Sequence, residues 1–368
     1  MTSAYRPASD VGISLQKSIP TGDLILAGDL HCHVGPPDHP LEASRDPAQT
    51  VKLAADESLD FVVLTPHVGA RFFESEAERG DVLRTRDELR RALAAADTGR
   101  TLFVIGMEYT DHQFGHVGAS FANLRDVYTD VSAAEAREHP ARFFESFVKH
   151  GGFLVINHPL STPLDSSISM ARADLSWRPF TKEGWVSEEI AAVNKLAQGL
   201  EVYNLVVSHL RDRYLLQDTP RSLLATFARA DEEMLNHRRR FVPVGGSDSH
   251  VGYLRATTFV RAKEKTETAI RDALLAGRTC VKSAQACSFE LRAPGETWKP
   301  VGSDLPSTST VEARAFGAAV EVIVNGVSVA HGEDAETLTI HLGDGCQVVR
   351  ARVGEGFSAP IYVGCLSL

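Results

Sequence analysis

Basic residues are scarce in this chain. Its 38 lysines and arginines are outnumbered by 48 aspartates and glutamates, a formal net charge of −10 at pH 7. That deficit works against a polyanionic partner, because binding nucleic acid requires a basic surface. The run His237-Arg238-Arg239-Arg240 reads instead as cations complementing the end of a helix. Long apolar runs are also missing: no stretch approaches the ~20 residues that cross a bilayer. Met1–Arg6 begins no apolar core of signal-peptide length, so a cytoplasmic protein without a membrane partner is expected. Cysteine is sparse, with five residues, an odd number, and no CxxC pair. This argues against a disulfide framework and against a thiolate zinc knuckle. Neither a GxSxG nucleophile elbow nor a GxxxxGKS phosphate loop occurs, which removes serine-hydrolase and nucleotide-binding readings.

Imidazoles and carboxylates are what the chain does concentrate. Five short segments carry them: Asp29-Leu30-His31-Cys32-His33, Thr65-Pro66-His67, Gly106-Met107-Glu108 with His116 soon after, Asn157-His158-Pro159, and Gly246-Ser247-Asp248-Ser249-His250. Each comes just after a short apolar run that reads as a buried strand, such as Phe61–Leu64 or Phe153–Ile156. The i, i+2 pairs His31/His33 and Asp248/His250 point to one side of an extended segment. Buried, unpaired groups of this kind are costly, so packing alone does not explain them. Imidazole plus carboxylate is the ligand chemistry of zinc, manganese and iron. Cys32, between two such ligands, is expected to pack inward.

From about residue 22 to residue 280, short apolar runs alternate with helix-like stretches, the signature of βα units. Helices are expected over Asp46–Ser58, Asp81–Ala96, Ala133–His150, Ser187–Ala197, Pro220–Asn236 and Thr266–Ala276. After about residue 283 the segments become short, β-branched and turn-separated, with Asn325-Gly326 as a hairpin signal. The expected division is a lead-in over 1–21, a catalytic unit over 22–283 and a small β module over 284–368. Residues 160–186, with Arg172, Trp177-Arg178-Pro179 and Trp185, form a long irregular stretch suited to covering a ligand.

The order DLHxH, TxH, GxE, HP, GSDxH resembles the PHP (polymerase and histidinol phosphatase) superfamily over about residues 22 to 285. Leu275–Thr279, the β module and Ala359–Val363 look like its CehA/McbA (carbaryl-hydrolase-like) branch. The resemblance implies an α/β fold: a distorted (β/α)7 TIM-like barrel with a small C-terminal antiparallel β module. It implies two or three divalent metals. His31, His33, Glu108 and Asp248 would hold one, and Glu108 would bridge to a second on His116 and His158. His67, His250 and Asp38 would hold a third, with His39 a rival for Asp38 and His112 for His116. Glu201, in Leu200–Asn204, would support ligands from behind. The family usually has Asp where this chain has Pro66, which puts the third metal in doubt.

The implied chemistry is hydrolysis by a metal-bridging hydroxide, with Glu108, Asp248 and His250 as its catalytic residues. A phosphomonoester or phosphodiester of small size is the expected substrate, its free oxygens clamped by Arg172, Arg178 or Arg211. A carbamate, ester or amide is the alternative, and a silent binding protein a third.

Overall fold

The computed structural model describes residues 22–35, 45–69, 74–111, 113–163, 172–182, 186–208, 219–250 and 252–365. Eleven strands precede the C-terminal part: β1 (Leu24–Cys32), β2 (Phe61–Leu64), β3 (His67–Gly69), β4 (Leu102–Ile105), β5 (Met107–Asp111), β6 (Gly115–Ser120), β7 (Phe153–Ile156), β8 (Gly199–Asn204), β9 (Val242–Gly246), β10 (Thr258–Ala262) and β11 (Thr279–Val281). Helices alternate with them, so the protein is mixed α/β. No helix among the described residues is long and apolar enough to cross a membrane.

The strands fall into several sheets. One of six strands runs β3-β5-β6-β7-β8-β9, and β1, β2 and β4 lie in a larger sheet of eleven. The closed ring that a (β/α)7 reading calls for is not present in the hydrogen bonding of the described residues, because one path stops at β4 and another starts at β3. The breaks have local causes. Between β2 and β3 stands Pro66, which has no N–H for a ladder. Between β4 and β5 stands Gly106, whose hypothetical Cβ would lie 2.8 Å from the Ala119 carbonyl oxygen. β6 also runs antiparallel to β5 and β7. The three residues between β5 and β6 are too few for the crossover that parallel pairing needs.

The expected helices form, with adjusted ends. The second covers Glu76–Ala95, starting early because the Ser75 side chain caps it by accepting from the Glu78 N–H. The stretch Ala133–His150 is two helices, Ala133–Glu138 and Ala141–Lys149, divided at Pro140.

The C-terminal strands are β12 (Glu290–Arg292), β13 (Lys299–Pro300), β14 (Asp304–Leu305), β15 (Thr310–Arg314), β16 (Val320–Val324), β17 (Val327–Gly332), β18 (Leu338–His341), β19 (Gln347–Val353), β20 (Gly356–Ser358) and β21 (Ile361–Val363). Asn325 and Gly326 both take positive φ, 49° and 82°, at the β16–β17 hairpin. This part is not free-standing: β20 pairs with β11, so β14, β16, β17, β19, β20 and β21 extend the eleven-stranded sheet, while β13-β12-β15-β18 form a separate sheet of four. The Asp231–Arg350 ion pair also ties the helix Thr219–His237 to β19.

The expectation from cysteine count is overturned. Cys280–Cys287 and Cys346–Cys365 form disulfides, leaving buried Cys32 free. Neither pair shows in the spacing: β19 and β21, adjacent to Cys346 and Cys365, lie side by side, whereas Cys287 returns to Cys280 of β11 from the short 3-10 turn Ala284–Ser288.

Candidate metal centre

Strand ends deliver the five segments to one place. β1 ends at Cys32, which forms a parallel bridge with Ser249. The His33 N–H donates to the Ser249 carbonyl at 3.0 Å, and the Asp248 N–H to the His31 carbonyl at 2.7 Å. The two i, i+2 pairs are thereby fixed side by side. In the parallel β3–β5 pair His67 stands opposite Glu108, and in the antiparallel β5–β6 pair His116 stands opposite Thr110. The Asn157 N–H donates to the His116 carbonyl at 3.1 Å, which places His158 beside them. Two of the residues sit at positive φ, His158 at 30° and Asp248 at 53°, conformations that persist only when surrounding contacts enforce them.

Glu108 is the hub. Its Oε1 lies 3.2 Å from His31 Nε2, 3.3 Å from His116 Nδ1 and 3.5 Å from His158 Nε2. Its Oε2 lies 3.6 Å from His33 Nε2 and 3.0 Å from His67 Nδ1. Asp248 Oδ1 is 3.1 Å from His33 Nε2 and 3.5 Å from His31 Nε2, while His67 Nε2 and His250 Nε2 are 3.2 Å apart. Among the described residues three ligand sets emerge: His31, His33 and Glu108; Glu108, His116 and His158; and His33, His67 and His250. The third set brings His33 to His67 and His250; Asp38, expected from sequence beside those two, lies outside the described residues.

The residues fit divalent cations on three grounds. First, three histidines are held in one tautomer. His31 Nδ1 faces Glu201 Oε1 at 2.9 Å, His158 Nδ1 the Leu175 carbonyl at 3.1 Å, and His250 Nδ1 the Asp248 carbonyl at 3.0 Å. Oxygens of this kind accept, so each Nδ1 donates and each Nε2 faces inward, its lone pair available once the ring is neutral. Second, His116 Nδ1 is buried without a hydrogen bond although Glu108 Oε1 is close, the arrangement of two ligands facing a shared centre. Third, buried Glu108, Glu201 and Asp248 have no lysine or arginine within 4.0 Å among the described residues, and buried carboxylates need positive charge.

The electrostatics follow. Burial pushes the Glu108 carboxyl up, but His31 and His116 hold it well below the usual carboxylate range. Burial pulls His31 down, yet Glu108, Asp248 and Glu201 carry it well above the ordinary imidazole value. His33 is pushed down to about 3, chiefly by burial. Cys32 is indeed packed inward, and burial raises its thiol to about 12, which leaves it inert.

The arginines divide. Arg178 is buried and spent on its own loop, donating to Asp174 Oδ1 at 2.6 Å and to the Ser176 carbonyl at 2.7 Å. It ties together residues 174–178; this is the position the structure gives to one of the three arginines expected from sequence to clamp a substrate. Arg172 is exposed. Asp38, His39, His112 and Arg211 lie outside the described residues. Three contributors were not assigned a role from sequence. Asn157 Nδ2 donates to Glu108 Oε1 at 2.8 Å; Asn204 bonds to Glu201 and Asp248; and buried Arg45 donates to the His33 carbonyl at 3.2 Å and Cys32 Sγ at 2.8 Å. Asn157 stands next to His158 and could have been suspected. Nothing in the sequence marks Arg45.

No protein-family profile and no curated protein matches the chain. Among solved structures, it is similar to a two-domain protein from Bacteroides vulgatus ATCC 8482 containing a predicted PHP-like metal-dependent phosphoesterase. The identity is 15% and the TM-score 0.43, over 92% of this chain and 93% of that one. It is similar to the lesion-specific endonuclease PfuEndoQ from Pyrococcus furiosus at 14% identity and TM-score 0.41, over 75% of this chain and 64% of that one. An amidohydrolase from Chromobacterium violaceum gives 15% and 0.32, over 61% and 87%. Likenesses this low carry no argument about activity, so the functional reading rests on the residues.

Proposed function

We propose that this chain is a metal-dependent hydrolase acting on a small phosphomonoester or phosphodiester at a two- or three-metal site. The observation that carries the reading is Glu108, one buried carboxylate within 3.6 Å of nitrogens from His31, His33, His67, His116 and His158. Divalent zinc, manganese or iron held there lowers the pKa of water toward neutrality and polarises the oxygen that gains charge. The remaining work falls to this chain's own groups. His31, His33, His116, His158, Glu108 and Asp248 hold the ions. His67 and His250, both partly exposed, would hold a third ion together with His33.

The fold proposal belongs with it: residues 22–283 form a distorted (β/α)7 arrangement and residues 284–368 a β module. The support is that β2 leads into β3 and β4 into β5, while the Cys32–Ser249 bridge joins the two sheets at the site. A small molecule, not nucleic acid, is the proposed partner, on the net charge of −10.

A carbamate, ester or amide is the second reading, favoured by Arg178 being occupied. Protein purified without chelators should contain about two or three metals, and His67→Ala should lose one if the third site is filled. After reconstitution with manganese, zinc or iron, phosphate release from aryl phosphates supports the first reading. Turnover confined to aryl esters or carbamates moves the assignment to the second. A fully metallated protein silent on both panels would sink the enzyme reading.

A further inference from the structure

One buried carboxylate outside the ligand sets touches ligands from two strands. Glu201 Oε1 accepts from His31 Nδ1 at 2.9 Å, and Oε2 accepts from the His158 backbone N–H at 2.6 Å. Asn204 Nδ2 donates to the same Oε2 at 3.1 Å and to Asp248 Oδ2 at 3.1 Å. The amide is oriented for this, because its Oδ1 accepts from the Val207 N–H at 2.9 Å. In a regular strand Glu201 and Asn204 would face opposite ways. A register shift between Glu201 and Tyr203 brings them to one face.

We propose that Glu201 is a positioning residue that sets His31 through its ring and His158 through its backbone, with Asn204 locking Glu201 to Asp248. The proposal rests on the metal-site reading above. Three donors converge on Glu201 from His31, His158 and Asn204. Only an acceptor on both oxygens satisfies them, which an ionised carboxylate is and an amide is not. The Glu201 contact also explains why His158 holds a φ of 30°: its N–H is drawn onto the carboxylate. Gly246 leaves room for the pair, since a Cβ there would meet both Glu201 Oε1 and His31 Cβ at 2.3 Å.

The test is Glu201→Gln, whose amide must turn its NH2 toward at least one of these donors. Affinity for zinc or manganese alone, measured by chelator competition, should fall about 10- to 100-fold. Hydrogen exchange at the His158 amide in metal-free protein should rise while the preceding β7 stays protected, a local change that general destabilisation does not produce. Asn204→Ala should shift both readouts the same way by less, and it carries the test if the first variant does not fold. Wild-type affinity together with unchanged exchange at His158 overturns the proposal. Failure of the underlying site reading looks different: the wild type itself takes up no metal, while exchange at His158 still rises in the variant.

Discussion

A methyl group at position 246 would sit 2.3 Å from Glu201 Oε1 and from the Cβ of His31. Gly246→Ala is therefore expected to destabilise the fold by about 1–3 kcal/mol, as overpacking does, and to displace His31. A thermal melt together with metal content checks it; an unchanged melt with full metal content would contradict the tight approach. Asp29 gives the pH prediction. Burial raises its carboxyl to about 6 against an ordinary 3.8, although Ser247 and His31 donate to it. The folded state therefore binds the proton more tightly than the unfolded chain. The contribution of this group is full below about 3.8 and is lost as pH rises through about 6, a loss of about 3 kcal/mol. In metal-free protein, Asp29→Asn should remove that decline from stability measured across this window.

At the scale of elements, Arg178 ties together residues 174–178. Arg178→Ala leaves Asp174 without its buried arginine partner and should cost about 1–3 kcal/mol. It should also loosen the Leu175 carbonyl that orients His158. The expected signature is a lower melting temperature with a modest change in KM; a large KM increase on phosphate esters at unchanged stability would restore a clamp role. The amphipathic helices and β-branched strands were legible because their periodicity is local. The division at Pro140 is readable from the proline itself. The antiparallel β6 carries glycine, histidine and alanine with no apolar alternation, so only its pairing with β5 and β7 defines it.

At the scale of the whole molecule, two disulfides lie in the C-terminal part and its junction with β11. Cys346 and Cys365 are 19 residues apart, a loop whose closure stabilises by about 3 kcal/mol on chain-entropy grounds. Cys365→Ser should lower the melting temperature in oxidising buffer and change nothing under reductant. Intact mass before and after reduction should differ by four hydrogens, corresponding to two bonds. A mass unaffected by reduction would return the cysteines to thiols. The charge deficit and missing apolar runs were legible at this scale because they are sums over the chain.

The sequence by itself determined which chemistry is present. Imidazoles and carboxylates just past buried runs are expensive to bury without a purpose, so their presence in five segments was informative before any fold was known. Tertiary structure decided which of them share a centre and what supports them. His33 joins His67 and His250, Arg178 turns to its own loop, and Asn204 reaches Glu201 through a strand irregularity. Those outcomes depend on register, backbone φ and pairing between residues far apart in the chain, and no local pattern encodes them.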